Sequence, residues 1–332
     1  MPLRPFTFAA YYPEQKVSDR PVLVTGAAGF AGSHLLDLLI RDGRPIVGWY
    51  RPGSDEPRTA RDGVTWRAVE LLDGKAVQRA LADMSPSALY HLAGAAHQAS
   101  SWQESDTALA LNVRATHHLL EVLRRRSPGT RVLVTGSAAV YRPAAVPLEE
   151  DAPLAPTSPY GLSKLAQELL ALRAAHDDKL EVIVTRSFNH IGPGQSPQYF
   201  ASSFALQLAR IEAGLEAPVI SVGNLEPQRD LTDVRDTVQA YKRLMAHGRP
   251  GTTYNVCSGH AYAIGDVLGE LRRHATREIE VRVDTTRLRP TDQALLVGNP
   301  ARLTTDTGWR PEIPLSQTLA DLLAWHRARL TQ

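Results

Sequence analysis

Cysteine is almost absent from this sequence, because Cys257 is the single one among 332 residues. A lone cysteine excludes an intramolecular disulfide and any metal site built from cysteines alone, and it favours a reducing compartment. We therefore expect a cytoplasmic protein that has no metal site.

The sequence also has no long apolar run. The most apolar stretch extends from Val22 to Ile40, but His34, Asp37 and three glycines interrupt it, whereas a transmembrane helix requires about 20 predominantly apolar residues. Residues 1–20 lack the apolar core and the cleavage pattern of a signal peptide. We expect no membrane-spanning helix, and we interpret residues 1–20 as a loosely ordered leader.

Charge of one sign is not concentrated anywhere in the chain. The 37 Lys and Arg residues balance 35 Asp and Glu residues, the net charge is +2, and no block of five basic residues occurs. This distribution creates no positive electrostatic potential that would attract a polyanion, so we expect no nucleic-acid partner. The length is that of about two domains.

What the chain does contain is a regular alternation of short β-type runs and helical patterns. Strands that are apolar on both faces and separated by 10 to 20 helical residues require parallel pairing with crossover helices. The sequence therefore predicts a Rossmann-type α/β fold with a doubly wound parallel sheet. The predicted strands are Val22–Thr25, Ile46–Tyr50, Val64–Val69, Ala88–Leu92, Val132–Thr135 and Val182–Arg186, and the clearest helices are Ser33–Arg41 and Asn112–Arg126.

Beyond Arg186 the alternation gives way to shorter segments that glycine and proline interrupt. We predict a smaller C-terminal lobe that binds substrate over the carboxyl edge of the sheet. The run Thr253–Cys257 is typical of a strand that returns to the first sheet. The predicted division is a dinucleotide-binding domain from 21–190 and about 233–258, and a substrate lobe from about 191–232 and 259–332.

Three glycines at a spacing of three and three follow the first strand, at Gly26, Gly29 and Gly32. Glycine lets the backbone turn sharply and approach a pyrophosphate, whose charge the free N–H groups and the dipole at a helix start stabilise. Phe30 lies inside this motif. A tight turn without a ligand is the alternative, and the flanking strand and helix favour a cofactor site.

Arg51 stands where the second strand ends, a position at which NAD-preferring folds carry an acid for the ribose 2′-hydroxyl. A guanidinium can instead pair with the 2′-phosphate of NADP, so we expect NADPH to be preferred, with NADH as a second cofactor. A solvated surface arginine is the alternative. Further residues predicted at the cofactor site follow the third and fourth strands, and they are Glu70, Leu71, Leu92, Ala93 and Gly94.

Tyr160 and Lys164 lie four residues apart at the start of a predicted helix, so their side chains share one face. An ammonium beside a phenol should lower the tyrosine pKa and let it pass a proton to a carbonyl oxygen. Tyr12 and Lys16 repeat this spacing, but they lie in the leader, away from any cofactor loop. Ser137 follows the fifth strand at the same sheet edge and could orient a substrate oxygen, or merely cap a turn.

Together, the glycine triplet, Ser137, Tyr160 and Lys164 resemble the extended short-chain dehydrogenase/reductases that act on nucleotide sugars. The resemblance extends from about residue 21 to the end. Longer strings in the second half resemble the GDP-4-keto-6-deoxy-mannose reductases. These strings are FNHIGPGQ at 188–195, GNLE at 223–226, RDLTDVRD at 229–236, YNVCSG at 254–259 and RLRP at 287–290.

The resemblance implies that Asn189, Asn224, Arg229 and Arg289 hold the nucleotide diphosphate and the sugar, although each arginine could instead form a salt bridge between the lobes. It implies NADPH-dependent reduction of a GDP-4-keto-6-deoxy-hexose to a GDP-6-deoxy-hexose of the GDP-rhamnose type. Tyr160, Lys164 and Ser137 would be catalytic, and the protein would form a homodimer. The alternatives are a GDP-mannose 4,6-dehydratase, a nucleotide-sugar 4-epimerase, and a noncatalytic dinucleotide-binding regulator.

One departure from the family pattern bears on the reaction type. Ala139 stands where dehydratase relatives, and some reductase relatives, carry a carboxylate, and an alanine has no proton to move. The three acids Glu149, Glu150 and Asp151 lie one loop further on, and we interpret them as a solvated turn. The sequence therefore favours reduction over dehydration.

Overall fold

The computed structural model describes residues 20–54, 61–95, 100–287 and 293–331. The strands within these residues are β1 (Val22–Thr25), β2 (Ile46–Tyr50), β3 (Val64–Ala68), β4 (Ala88–His91), β5 (Arg131–Ser137), β6 (Glu181–Ser187), β7 (Asn189–Ile191), β8 (Val219–Val222), β9 (Gln228–Asp233), β10 (Thr253–Val256), β11 (Ala261–Ala263), β12 (Glu280–Val283) and β13 (Leu295–Leu296). The α-helices are α1 (Phe30–Ile40), α2 (Gly74–Ala80), α3 (Ser105–Leu109), α4 (Ala115–Arg126), α5 (Pro159–His176), α6 (Phe200–Glu212), α7 (Val234–His247), α8 (Ile264–Arg273), α9 (Ala301–Thr307) and α10 (Leu315–Leu330).

Seven of these strands form one parallel sheet in the order β3-β2-β1-β4-β5-β6-β10. The strand order reverses between β1 and β4, and in open α/β sheets a ligand crevice lies outside the carboxyl ends of the strands at such a point. The carboxyl ends of β1, β2, β4 and β5 therefore define the edge where the predicted site residues meet.

Helices cover both faces of this sheet with their apolar sides, as a parallel sheet requires. One core joins the sheet to α1, α7 and α9 through residues such as Leu35, Leu244 and Leu303. The other joins it to α2, α4 and α5 through residues such as Val77 and Leu119. Helix α5 is thereby fixed against β5 and β6, and this position sets the place of Tyr160 and Lys164.

A second set of elements forms its own core beyond the first sheet. Strand β9 pairs with β7, β11 and β13, β8 pairs with β12, and helices α6, α8 and α10 pack together through residues such as Phe204, Leu271 and Leu322. Strand β10 returns to the first sheet beside β6. The predicted domain boundaries remain a prediction.

The α/β fold class is confirmed, and the predicted strands appear with ends that differ by at most two residues. The predicted helix from Asn112 is corrected, because residues 110–114 form a π-helical turn before α4 begins at Ala115. Of the predicted leader only Arg20 is described, and its guanidinium donates to the carbonyl oxygens of Ser85 and Pro86. No helix among the described residues has the length and hydropathy needed to cross a bilayer.

Candidate active site

The glycine loop lies between β1 and α1, and its backbone approaches the loop that follows β4. Gly26 has a φ of +68°, and a Cβ at this position would lie 2.7 Å from the Ala93 nitrogen, so only glycine fits here. Gly29 precedes the first helical residue, Phe30, and no side chain caps this helix start. A Cβ on Gly32 would collide with the Gly26 carbonyl oxygen. The loop thus exposes backbone N–H groups at a helix N-terminus, which suits a pyrophosphate.

The other residues predicted at the cofactor site follow β2, β3 and β4 at the same edge of the sheet. Arg51 is exposed at the carboxyl end of β2, next to β1 in the sheet. The Glu70 carboxylate accepts the Leu72 N–H at 2.9 Å, and Leu71 packs on the core beneath it. Leu92, Ala93 and Gly94 form the loop after β4, where the Leu92 N–H donates to the Thr25 carbonyl oxygen at 3.2 Å.

Helix α5 places Tyr160 beside Ser137. The Ser158 hydroxyl caps the helix by accepting the Gly161 N–H at 3.1 Å, and Pro159 occupies the first helical position. The first turn packs on the 3-10 turn Ala138–Val140 that follows β5, and the Ser137 hydroxyl lies close enough to the phenol to influence its pKa. The Ser101 hydroxyl accepts the Tyr160 N–H at 3.2 Å and so also fixes the start of α5.

The expected effect of Lys164 on Tyr160 is wrong for this structure. Burial raises the pKa of Tyr160, and the hydrogen bond with Ser137 opposes that rise. The ammonium that was expected to lower it is itself desolvated, since Lys164 is 5% exposed and burial lowers its pKa to about 8. Both groups therefore stand closer to their neutral forms than the spacing predicted, because desolvation disfavours any charge at this depth.

The Lys164 ammonium is held by two acceptors that the sequence did not indicate. It donates to the Thr135 carbonyl oxygen at 3.0 Å and to the Gln167 amide oxygen at 2.9 Å. A Cβ on Gly94 would lie 3.5 Å from the ammonium nitrogen, so the loop after β4 reaches this group directly. Tyr160, Ser137 and Lys164 therefore lie at the same edge of the sheet as the loop after β4, which the glycine loop approaches at Gly26.

The residues predicted to bind the nucleotide sugar lie on the second set of elements. Asn189 is half-buried on β7, and Asn224 is exposed, with its amide oxygen accepting the Glu226 N–H at 3.0 Å. The Arg229 guanidinium donates to the carbonyl oxygens of Gln228 and Gln293 at 2.9 and 2.7 Å. Arg289 lies outside the described residues. Their role in substrate binding remains a prediction.

The solvated turn predicted at residues 149–151 is corrected at Glu150, which is 8% exposed. Its carboxylate accepts the Asn255 N–H at 2.9 Å and lies 3.5 Å from the Arg302 guanidinium. Glu149 and Asp151 are exposed and contact Asn299 and Arg302. All three carboxylates thus bond to residues between 255 and 302. The prediction of a fully solvated turn did not include these contacts.

Comparison with known proteins extends over nearly the whole chain. The family described as GDP-mannose 4,6 dehydratase matches residues 23–322. A GDP-6-deoxy-D-mannose reductase of Pseudomonas aeruginosa is 34% identical over 94% of this chain and 98% of that protein. A UDP-glucose 4-epimerase of Bacillus subtilis is 26% identical over 93% of this chain and 97% of its own length. The structure of RMD from Pseudomonas aeruginosa complexed with NADPH superimposes with a TM-score of 0.83 at 34% identity, covering 93% of this chain and 99% of the other.

Proposed function

The chain belongs to the GDP-mannose 4,6-dehydratase family, and we propose that within this family it reduces the C4 ketone of a GDP-4-keto-6-deoxy-hexose with NADPH. The product would be a GDP-6-deoxy-hexose of the GDP-rhamnose type. The observation that carries this proposal is that Ser137, Tyr160 and Lys164 meet at the edge of the sheet beside the loop after β4. The resemblance adds that Ala139 stands where dehydratase relatives, and some reductase relatives, carry a carboxylate. The similarity to a GDP-6-deoxy-D-mannose reductase supports it.

The residues of this chain fit a dinucleotide. The backbone packs so closely at Gly26 and Gly32 that neither position admits a side chain, and the start of α1 is therefore left clear for a pyrophosphate. NADPH, when bound, supplies the hydride that reduces the C4 carbon. Tyr160 donates a proton to the ketone oxygen, and Ser137 hydrogen-bonds the same oxygen and holds it near the phenol. Lys164 would hold the nicotinamide ribose of the bound cofactor.

The placement of the acidic residues supports reduction over the dehydratase alternative. Dehydration across C5 and C6 requires removal of a proton from carbon and protonation of the leaving hydroxyl, work that a carboxylate normally does. Ala139 supplies none, and Glu149, Glu150 and Asp151 are bound to Asn255, Asn299 and Arg302. A noncatalytic regulator could lose Ser137, Tyr160 or Lys164, and the retention of all three supports a catalytic role.

The test of this proposal is NADPH oxidation by the purified protein with a panel of nucleotide 4-keto-6-deoxy sugars. We expect stoichiometric loss of NADPH with the GDP sugar, and slower loss with sugars on other bases. Turnover with a tightly copurified dinucleotide and without added NADPH would favour the 4-epimerase alternative. NADPH binding without turnover of any sugar would favour the regulator.

Cofactor preference gives a second test, at Arg51. A charge-assisted hydrogen bond to the 2′-phosphate is worth about 1.5 to 3 kcal/mol, so the wild type should favour NADPH over NADH by roughly 10- to 100-fold in kcat/KM. Arg51→Asp should reverse the preference, because a carboxylate repels the phosphate and accepts from the ribose hydroxyl. Arg41→Asp, a change at the exposed arginine that directly follows α1, is the matched control. Equal use of both cofactors by the wild type would refute the assignment.

We extend the proposal to assembly and location. The face of α5 that points away from the sheet carries Leu162 and Leu169, which are 54% and 58% exposed, and Leu109 on α3 is 40% exposed. Such an apolar surface is typical of an interface, and the homodimer expected from the resemblance would cover it. A cytoplasmic location accords with the single, buried Cys257.

A further inference from the structure

A chain of fully buried polar side chains connects the Lys164 ammonium to the residue before the glycine loop. From Lys164 it passes through the Gln167 amide to the Thr116 hydroxyl at 2.8 Å, and from there to His91 Nε2 at 2.9 Å. His91 Nδ1 then lies 2.7 Å from the Thr25 hydroxyl, which also accepts the Ala93 N–H at 3.3 Å. Thr25, His91, Thr116 and Gln167 are at most 1% exposed, so water cannot replace these contacts.

The direction of every hydrogen bond in this chain follows from the ammonium, which can only donate. Because Lys164 donates to Gln167 Oε1, the Gln167 Nε2 group must donate to Thr116. The Thr116 hydroxyl donates in turn to the Asn112 carbonyl oxygen at 2.6 Å. Thr116 can therefore only accept from His91, and this makes His91 the Nε2–H tautomer with Nδ1 accepting from Thr25.

A neutral His91 satisfies this arrangement, and the environment keeps it neutral. Burial, together with the charge of Lys164, lowers the pKa of His91 to about 3. The Thr116 hydroxyl then accepts twice and donates once, and the Gln167 amide cannot turn without losing two hydrogen bonds. A buried hydrogen-bond network of this kind favours one geometry of its members.

We propose that Gln167, held by Thr116 and neutral His91, is a positioning residue that keeps the Lys164 ammonium charged and aimed at the cofactor edge. The purpose of positioning Lys164 rests on the proposed function, because it matters for an enzyme that uses Lys164 at the cofactor. The hydrogen bonds that position Lys164 belong to the protein alone and can be tested without a substrate. Gln167 does not touch the reacting atoms, and it acts through Lys164.

The sign of its effect on Lys164 is defined. The titratable groups placed around the ammonium within the described residues are His91 on β4 and Tyr160 on α5, while β5 contributes the Thr135 carbonyl and the π-helical turn the neutral Asn112. The Gln167 oxygen bonds the charged form of Lys164, so it holds the pKa above the value that burial alone would give. Removing that oxygen should lower the pKa further, and a carboxylate in its place should raise it.

The experiment is an NMR titration of the ligand-free protein labelled at lysine Cε. The chain has only five lysines, and the signal missing in Lys164→Arg assigns the one of interest. We expect a wild-type midpoint near pH 8, a fall of about 1 unit in Gln167→Leu, and a rise of about 1 unit in Gln167→Glu. Thr116→Val, which leaves Lys164 and Gln167 intact, should give a smaller fall, and it serves if Gln167→Leu does not fold.

Gln207→Leu is the matched control, because Gln207 is a half-buried glutamine whose amide bonds the Ser221 backbone on the other set of elements. It should leave the Lys164 midpoint unchanged. Shifts of the same sign in Gln167→Leu and Gln167→Glu, or no shift in either, would overturn the proposal. If the Lys164 midpoint shifts as expected but the protein reduces no GDP-4-keto sugar, this inference stands and the proposed function is refuted. With an active enzyme, the alkaline limb of kcat against pH should move with each midpoint.

Discussion

Tyr160→Phe should reduce ketone turnover by about 10²-fold or more, while NADPH affinity changes by no more than about twofold. The substitution keeps the ring and its packing and removes only the hydroxyl that would give the proton. Since the phenol's pKa is raised by burial, the neutral, proton-bearing form predominates at neutral pH, which is the form a proton donor needs. Initial rates of NADPH oxidation measure the loss, and quenching of protein fluorescence by NADPH measures binding.

Tyr12→Phe is the matched control for this experiment. Tyr12 has the same four-residue spacing to a lysine, Lys16, but both lie outside the described residues and before the first strand. The control variant should retain wild-type rates. A large loss in Tyr12→Phe, or wild-type turnover in Tyr160→Phe, would show that the proton donor is misassigned.

Glu168→Leu should destabilise the protein by about 3 to 5 kcal/mol, because it leaves the buried Arg186 cation without its carboxylate partner. The Arg186 guanidinium is 4% exposed, bonds both Glu168 oxygens at 2.6 and 3.0 Å, and donates to the Glu150 carbonyl oxygen at 2.7 Å. Burial lowers the pKa of Arg186, but the Glu168 carboxylate outweighs that effect and raises it above its ordinary value. This pair fixes α5 against β6, so a shift of Tyr160 should accompany the loss. Urea unfolding followed by circular dichroism measures the change.

Glu121→Leu supplies the comparison, since Glu121 pairs with Arg124 and Arg125 on the exposed side of α4. Exposed pairs are worth about 0 to 1 kcal/mol, so its unfolding midpoint should move little. Adding Arg186→Met to Glu168→Leu should recover much of the stability, because no charge is then left buried. Equal losses in Glu168→Leu and Glu121→Leu would contradict a buried pair of this strength.

The sequence predicted those parts of the molecule that depend on local pattern. The ends of β1 and β2 were predicted to the residue. A short, continuous apolar run between turn signals is typical of a buried parallel strand. The glycine spacing predicted the loop before α1, and the interval from Tyr160 to Lys164 predicted that both residues lie in the first two turns of a helix. These features are encoded within about ten residues of chain, where periodicity and turn chemistry are informative.

The parts that the sequence did not predict depend on contacts between distant segments. The acids at 149–151 have the composition of a solvated turn, yet Glu150 is buried because Asn255 and Arg302 reach it from more than 100 residues away. Gln167 and Thr116 are ordinary helix residues in the sequence, and only the packing of α5 against α4 joins them. The pKa of Tyr160 was misjudged for the same reason, since the depth of a side chain is not a local property.

The claim that this protein reduces and does not dehydrate is tested most directly by giving it two substrates separately and following the sugar products by mass spectrometry. With GDP-mannose and NADP, we expect the sugar to remain unchanged. With NADPH and the GDP-4-keto-6-deoxy sugar made by a separate dehydratase, we expect a product two mass units heavier and loss of one NADPH per sugar. A 4-keto-6-deoxy sugar formed from GDP-mannose by this protein alone would contradict the account.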